Sequence, residues 1–298
     1  MVARRQDVTA PAGVIGRATN SDPAPRRLWL CADDYGLAPG VNRAIRELIA
    51  RGRLNATSAM VVAPSFSRSE ALQLSILAKE KRAAVGLHLT MTAPFRPLTA
   101  FEPVAAEGTF LSIQDMLLRA FWPGFDFDLV GREVTAQIKA FIEAFGRSPD
   151  YVDGHHHVHL LPCIGPAVLA ATKGANPDAW VRQCGQATPL YRRLHDRKGI
   201  LIDFLSRRFR DNARKLGVST NPAFAGTYRF DRDASFAAYF PEFLKDLPDG
   251  GVVMCHPGFV DAELARFDPL TTLREREFAF LSGDDFPALL AARGFALA

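Results

Sequence analysis

The chain has 298 residues, 48% of them hydrophobic, and a mean hydropathy near zero, so it can bury a substantial core as one large domain or two small ones. Its 36 basic and 32 acidic residues give a formal charge of +4, a small excess that does not indicate a nucleic-acid partner. No apolar run approaches the roughly 18 residues that a membrane span requires.

The N-terminal segment and the cysteines bear on the cellular compartment. Residues 1–27 mix Pro, Gly, Ala and five arginines and lack the continuous apolar stretch of a secretory signal, so we expect a disordered tail there and a single domain over 28–298. The cysteines show no C-x-x-C spacing, so neither a zinc knuckle nor a disulfide framework is indicated, and reduced thiols in a cytoplasm are expected. They are Cys31, Cys163, Cys184 and Cys255.

Short apolar runs alternate with amphipathic segments along the chain, which is typical of a mostly parallel α/β sheet or barrel. Strands are predicted where an apolar run ends in polar residues, and helices where an apolar stripe follows Pro and precedes Gly. The predicted elements in chain order are a strand over 28–32, a helix from Pro39 to Gly52, a strand over 58–62, a helix up to Lys81, a strand over 84–89, a helix over 132–145, and strands over 151–155, 180–182 and 251–255, with a helix over 235–247 before the last.

Two segments stand outside this alternation. The segment at about 91–130 is long for a connection and rich in aromatic residues, so we interpret it as a lid-like insertion whose rings stack on sugar, cover an apolar ligand or lie partly in the core. The basic segment 191–215 favours a solvated helix face, and contact with an anionic membrane surface is the alternative. Its apolar residues at helical spacing are Ile200, Leu201, Phe204, Leu205 and Phe209.

The placement of the histidines is the main functional signal. Six of the seven sit at or just beyond the C-terminal ends of predicted strands, and His195 is the exception. In parallel α/β folds these strand ends form the active-site face, so we expect the polar residues there to converge. They are Asp33, Asp34, His88, the run from His155 to His159, and His256.

Asp33 and Asp34 directly follow the first strand. Neighbouring residues of a regular strand point to opposite faces, so both carboxylates can reach one site only if the strand has ended, and Gly36 is expected to supply the turn. Two carboxylates in one pocket favour a bound cation and provide a ligand together with a general base. A helix cap or a solvated loop is the alternative, and a cap is our interpretation of the later pair Asp284-Asp285.

The segment from Asp153 to His159 is too polar for a core strand, and its density of histidines indicates metal binding. In an extended backbone Asp153, His155, His157 and His159 would share one face while His156 points away. This alternation favours His155 or His157 as a ligand.

Single histidines end two further strands. His88 is a candidate ligand because of its position opposite the other clusters. His256 ends the last clear strand, where an imidazole could pass a proton to a leaving group. Cys31 and Cys255 flank the site in sequence, but each ends an apolar run and is interpreted as a small buried residue.

Together these motifs resemble, in the same order and over roughly residues 28–260, those of the YdjC-like (ChbG/HpnK) carbohydrate deacetylases. The matching segments are Ala32-Asp33-Asp34-Tyr35-Gly36-Leu37, Asn55-Ala56-Thr57-Ser58-Ala59-Met60-Val61, Gly86-Leu87-His88-Leu89, Asp153-Gly154-His155-His156-His157-Val158-His159 and His256-Pro257-Gly258. The histidine run is more similar to the chitooligosaccharide branch than to the hopanoid branch.

The resemblance implies a distorted (β/α) TIM-like barrel with mostly parallel strands. It also implies a metal-dependent carbohydrate N-deacetylase that uses one divalent ion, Mg²⁺ or Zn²⁺, on an N-acetylated sugar that is chitooligosaccharide-like or linked to a glycolipid. The roles it implies are metal ligands at Asp34, His88 and His155, a general base at Asp33 and an acid at His256. Tyr35, His157 and His159 are candidates for contact with substrate.

Three other functions could use the same residues. A metal phosphoesterase would need a two-metal clamp, for which the chain offers few further carboxylates. A non-catalytic sugar- or lipid-binding protein on the same fold is a second option, against which the intact Asp33 argues. An iron oxygenase suits the ligand types but not the alternation of strands and helices. The oligomeric state stays open, with a homodimer as one option.

Overall fold

The computed structural model describes residues 24–121, 126–189, 191, 196–228 and 234–298. Residues 1–23 of the predicted tail, like His195, lie outside the described residues. The predicted end of the tail at residue 27 is wrong. Arg26 and Arg27 already belong to the first strand, because they pair with Phe295 and Ala296 of the last strand.

The described elements follow the predicted alternation of strands and helices. The strands are β1 (Arg26–Tyr35), β2 (Ala56–Ala59), β3 (Ala84–Leu89), β4 (Tyr151–Gly154), β5 (Trp180–Val181), β6 (Ser219–Thr220), β7 (Phe224–Ala225), β8 (Gly251–Cys255) and β9 (Phe295–Leu297). The α-helices are α1 (Pro39–Ala50), α2 (Arg68–Lys81), α3 (Ile113–Ala120), α4 (Phe127–Phe145), α5 (Gly165–Ala175), α6 (Arg197–Leu216), α7 (Phe236–Phe243), α8 (Leu264–Phe267), α9 (Thr272–Ser282) and α10 (Asp285–Ala292), and a 3₁₀ helix spans His155–Leu160.

The strand pairs of the described residues are all parallel, in the order β6-β5-β4-β3-β2-β1-β8-β7, with β9 beside the start of β1. Past β5 the chain reaches β7, where Gln186 bridges to Phe224 and the Phe224 amide donates to the Gly185 carbonyl over 3.1 Å. This short contact joins the segment that follows β5 to β7, at the other end of the sheet. The predicted distorted (β/α) barrel is confirmed, and the C-terminal ends of its strands share one rim.

Strand β1 lies inside the sheet between β2 and β8, and one buried side chain adds further hydrogen bonds to its backbone. Asn55 accepts a hydrogen bond from the Leu30 amide over 2.8 Å and donates one to the Leu28 carbonyl over 2.9 Å. It also donates to the Ala298 carbonyl at the end of the chain. A side-chain amide offers both a donor and an acceptor, so a single residue pairs with the buried Leu30 amide and shares the Leu28 carbonyl with the Ala298 amide.

Several element boundaries differ from the prediction. Strand β2 ends at Ala59 rather than at 62, since the chain then turns and the Met60 amide donates to the Tyr35 carbonyl. Helix α4 starts at Phe127, before the predicted 132, because Asp126 caps it. Helix α7 spans Phe236–Phe243 and stops short of the predicted 247.

The insertion packs onto the barrel rather than extending from it. Phe101 and Phe110 are buried against each other, with ring centroids 5.4 Å apart. Some aromatic rings of the insertion therefore lie in the core, which is one of the alternatives predicted from the sequence. Buried Glu133 of α4 accepts hydrogen bonds from the Leu98 and Thr99 amides and so fastens the segment to the helix. Trp122 and the residues up to 125 lie outside the described part.

Residues 197–215 of the basic segment lie in α6, as the predicted helix requires, but the apolar stripe of this helix is only partly buried. Leu205 and Phe209 pack inward, whereas Leu201 and Phe204 are exposed. Within the described residues, no helix combines the length and the apolar character needed to cross a bilayer. Asp284 occupies the predicted cap position of α10, although its carboxylate pairs with Arg53 instead of with the helix amides.

We predict that Asn55→Ala lowers the free energy of unfolding by about 1–3 kcal/mol. The change leaves the buried Leu30 amide without its partner, which costs about 1–3 kcal/mol, whereas the Leu28 carbonyl still accepts a hydrogen bond from the Ala298 amide. Urea denaturation of both proteins measures the difference. Asn212→Ala on α6 is the control, because alanine favours a helix and no stability should be lost there. Equal losses in the two variants would contradict the role of Asn55.

Candidate metal and active site

Both aspartates after Ala32 face the barrel rim because of a bulge in β1. Ala32 pairs with Thr57 and Tyr35 with Ala59, so β1 takes three steps where β2 takes two. Asp34 lies in this bulge, and its backbone adopts the left-handed region with φ 70°. Asparagine and aspartate tolerate this conformation better than most residues. The expectation that the strand ends before the pair is therefore wrong. The bulge redirects the carboxylates, and Gly36 only turns the chain afterwards.

Three of the predicted residues meet at the rim, each from a different strand end. The Oδ1 atom of Asp34 lies 3.2 Å from Nε2 of His88 and 3.1 Å from Nδ1 of His155. One donor atom from each residue lies within 4.8 Å of the other two. Two imidazole nitrogens and a carboxylate oxygen are a donor set that divalent metals accept, and three protein ligands leave positions open as catalytic sites require. The residues present fit one divalent ion.

A carboxylate behind His88 fixes the orientation of its ring. Nδ1 of His88 lies 2.6 Å from Oδ1 of Asp153 and 3.1 Å from the Ser58 hydroxyl, which leaves Nε2 directed at Asp34. Burial opposes the charged imidazolium, but Asp153 and Asp33 outweigh it and raise the pKa of His88 to about 10. The surroundings of His88 thus favour a positive charge, which a proton or a metal ion can supply.

The histidine run is not extended, so the predicted alternation of faces is wrong. His156 and His157 both adopt left-handed backbone angles, with φ 53° and 59°, inside the 3₁₀ helix. His155 therefore turns toward Asp34, while His156 is exposed, stacks on His155 and contacts the Thr92 hydroxyl at 3.0 Å. His157 lies against the Cys184 thiol, with Nδ1 and Sγ 3.5 Å apart.

Asp33 is buried and paired with Arg182. The two guanidinium terminal nitrogens each donate to one carboxylate oxygen over 2.7 Å. Burial alone would raise the pKa of Asp33, but the charge of Arg182, aided by His88 and His256, holds it well below its usual range. Asp33 is accordingly an anion throughout the neutral range, in a fixed orientation.

Arg182 also joins Asp33 to the residue behind His88. Its Nη2 lies 2.5 Å from Oδ2 of Asp153 and 2.8 Å from the Cys31 thiol. Cys31, Asp33 and Asp153 are close enough to form a second potential ligand group, but the guanidinium of Arg182 lies among them. A fixed cation in that position leaves no electrostatic reason for a second metal ion.

His256 lies at the end of β8, the strand next to β1. Its backbone amide donates to the buried carboxylate of Glu277. Its charge contributes to lowering the pKa of Asp33, which places the two side chains in one electrostatic environment. Cys255 beside it is buried, as expected for a small core residue.

Two of the predicted substrate contacts have other partners. The Tyr35 hydroxyl donates to the Glu70 carboxylate over 2.7 Å and accepts from Arg46 over 2.9 Å, which links α1 to α2. His159 is fully buried, and its Nε2 contacts the Arg182 carbonyl at 2.8 Å. These contacts favour structural roles for Tyr35 and His159, and contact of either residue with substrate stays a prediction.

Sequence reasoning did not assign roles to Arg182 and Arg274. Arg182 directly follows β5, so its place at a strand end was a usable signal. Arg274 lies on α9 and reaches Oδ2 of Asp34 over 2.6 Å, and nothing in its local sequence points to this contact. Asp153 was noted only as a member of the polar run, and its position behind His88 required the structure.

We predict that Arg182→Leu lowers the free energy of unfolding of the metal-free protein by roughly 3–5 kcal/mol, because two buried carboxylates lose their counter-charge. Chemical denaturation measures it. Arg207→Leu, at an exposed position of α6, should change stability by no more than about 0.5 kcal/mol. An unchanged stability of the Arg182 variant would contradict the charge pairing described above.

Comparison with known proteins agrees with the fold described above. The family model described as YdjC-like protein matches residues 27–292. A chitooligosaccharide deacetylase of Citrobacter koseri is 30% identical over 279 residues, which are 91% of this chain and 97% of that protein. A candidate cellobiose-phosphate cleavage protein of Enterococcus faecalis, with a solved structure, shares the fold at a TM-score of 0.71 and 24% identity, over 92% of this chain and 97% of that one. This chain belongs to the YdjC-like family.

Proposed function

We propose that this protein is a metal-dependent hydrolase that removes the N-acetyl group from an N-acetylated amino sugar and releases acetate. The observation that carries the proposal is the group formed by Asp34, His88 and His155 beside the ionised carboxylate of Asp33. The relative named chitooligosaccharide deacetylase supports a chitooligosaccharide-like substrate, and a glycolipid-linked sugar is the related option.

The metal would be held by Oδ1 of Asp34, Nε2 of His88 and Nδ1 of His155. Two imidazoles favour Zn²⁺, whereas the carboxylate and open positions also suit Mg²⁺. When bound, a divalent ion supplies Lewis acidity to an amide carbonyl and to water. The chain's own residues must then position the substrate and move the protons.

Asp33 is the proposed general base. Arg182 keeps its carboxylate charged and aligned through both oxygens. Because Oδ1 also accepts from the Cys31 thiol over 3.5 Å, Oδ2 is the oxygen that retains a lone pair able to accept a proton from water. The same pairing lowers its basicity, so its contribution depends mainly on orientation and proximity.

His256 is the proposed acid, which donates a proton to the departing amine. It lies at the end of β8, adjacent to the strand that carries Asp33, and the Glu277 carboxylate fixes its backbone. Base and acid on neighbouring strands suit a reaction that takes one proton from water and gives one to nitrogen.

Substrate would approach past His155 and His156. The side chain of His155 retains 14% exposure while those of Asp34 and His88 are buried, so the rim is open on that side. Phe95 of the insertion packs edge-on against His155 and stacks on Phe267 of α8, which gives this entrance an apolar wall suited to a sugar face or a methyl group. His157 stays a candidate for substrate contact.

The phosphoesterase alternative is weaker. Its two-metal clamp would need the second ligand group, and Arg182 lies there. A non-catalytic binding protein would not require an ionised carboxylate beside the metal group, which Asp33 supplies. Cytoplasmic location, a homodimer and membrane contact through 191–215 stay predictions.

We expect the purified protein to release acetate from N-acetylated chitooligosaccharides, and a chelator such as EDTA to abolish the release because the ligand group loses its ion. Acetate is quantified with an enzyme-coupled assay, and re-addition of Zn²⁺ or Mg²⁺ should restore the rate. A panel of N-acetylated glycolipids tests the second substrate option. If neither panel yields acetate with any added divalent ion, the proposal fails.

We expect Asp33→Asn to retain metal binding and to lower kcat by at least ~10²-fold, as loss of a general base does. Asparagine keeps the shape of the side chain but cannot accept the proton. Metal content per chain and kcat are measured on the same preparation. Asp249→Asn, an exposed aspartate that pairs with Arg27, is the matched control and should keep full activity. Full activity of the Asp33 variant would refute its role.

A further inference from the structure

Arg274 is a buried arginine in contact with one side of the metal group. It lies on α9, is 1% exposed, and places Nη2 2.6 Å from Oδ2 of Asp34. The same nitrogen contacts the carboxylate of Asp268, and Nε donates to the Leu270 carbonyl over 3.1 Å. Two carboxylates and one carbonyl therefore hold its guanidinium in place.

The two oxygens of Asp34 consequently have different partners. Oδ1 is shared by His88 and His155, at 3.2 and 3.1 Å, whereas Oδ2 is occupied by Arg274. A carboxylate can bind an ion through one oxygen or through both. With Oδ2 engaged, Asp34 presents one oxygen to the position between the histidines.

The backbone around Arg274 supports this arrangement. The Gly258 amide donates to the Arg274 carbonyl over 3.2 Å, and a Cβ at Gly258 would lie 3.3 Å from Cδ of Arg274. The loop after His256 thus packs closely on the stem of Arg274. This contact gives the glycine of the His256-Pro257-Gly258 motif a physical role.

We propose that Arg274, braced by Asp268, is a positioning residue that makes Asp34 a one-oxygen ligand and thereby sets the affinity and coordination number of the ion. This inference rests on the proposed function, since it requires a metal at Asp34, His88 and His155. It adds a residue from α9 to a site otherwise built from strand ends and the loops that follow them.

Removing the guanidinium has two opposing effects on metal affinity. Asp34 would lose its fixed orientation, which weakens binding, while a positive charge near the ion would disappear, which strengthens it. Arg274→Lys separates them, because lysine keeps the charge but its ammonium reaches about one bond less far and has no planar fork. A change in the metal affinity of this variant therefore reports on the orientation of Asp34 rather than on the loss of charge.

The test measures binding of the metal itself. Zn²⁺ is titrated by calorimetry into three metal-stripped proteins: wild type, Arg274→Lys and Asp268→Asn. The same proteins are titrated with Co²⁺ and followed by absorption in the visible range, where band intensity depends on coordination number.

We expect Arg274→Lys to lose about 10–100-fold in metal affinity and to show altered Co²⁺ bands. This loss is the range found when a group that orients a metal ligand is removed. Asp268→Asn should show a smaller loss. Arg276→Lys, two residues along α9, is the matched control and should bind as wild type.

The outcomes separate this inference from the proposed function. If the wild-type protein does not bind one metal ion per chain, the proposed function fails and the inference fails with it. If wild type binds one ion and both Arg274→Lys and Asp268→Asn match it in affinity and spectrum, the inference alone is overturned. Circular dichroism checks folding. If Arg274→Lys does not fold, the Asp268→Asn variant decides, because it leaves Arg274 and Asp34 in place. Reduced metal affinity in that variant supports the bracing of Arg274 by Asp268, and wild-type metal affinity overturns it.

Discussion

Buried charge is the constraint on which this site depends. Asp33, Asp34 and Asp153 lie at strand ends with almost no exposure to water, and each would be costly to ionise alone. Arg182 and Arg274 supply the compensating charges from separate parts of the chain. Asp33 and Asp34 can therefore be anions at neutral pH, which both metal binding and proton transfer from water require.

The two arginines divide the carboxylates into different roles. Arg182 takes both oxygens of Asp33 and reaches Asp153, so it links the proposed base to the residue that orients His88. Arg274 takes only one oxygen of Asp34, and the other stays beside the histidines. Two adjacent aspartates thus differ because of their partners and not because of their chemistry.

Local backbone strain directs these side chains. Asp34, His156 and His157 all have positive φ, which is uncommon outside glycine and costs free energy that neighbouring contacts must offset. The bulge at Asp34 puts two neighbouring carboxylates on one rim, and the left-handed pair at His156 and His157 separates the histidines in space. The barrel holds these conformations through hydrogen bonds such as that from Thr57 to the Ala32 carbonyl.

The residue types at the strand ends and the order of the elements follow from the sequence, because alternating apolar runs and the Pro and Gly residues between them are local properties. Asp33, Asp34 and His88 could be selected for that reason, and the family resemblance supplied their roles. The pairing of the charged groups depends instead on the tertiary structure. Arg274 is far from Asp34 in sequence, and the backbone of the histidine run depends on its packing, so neither leaves a periodic signal.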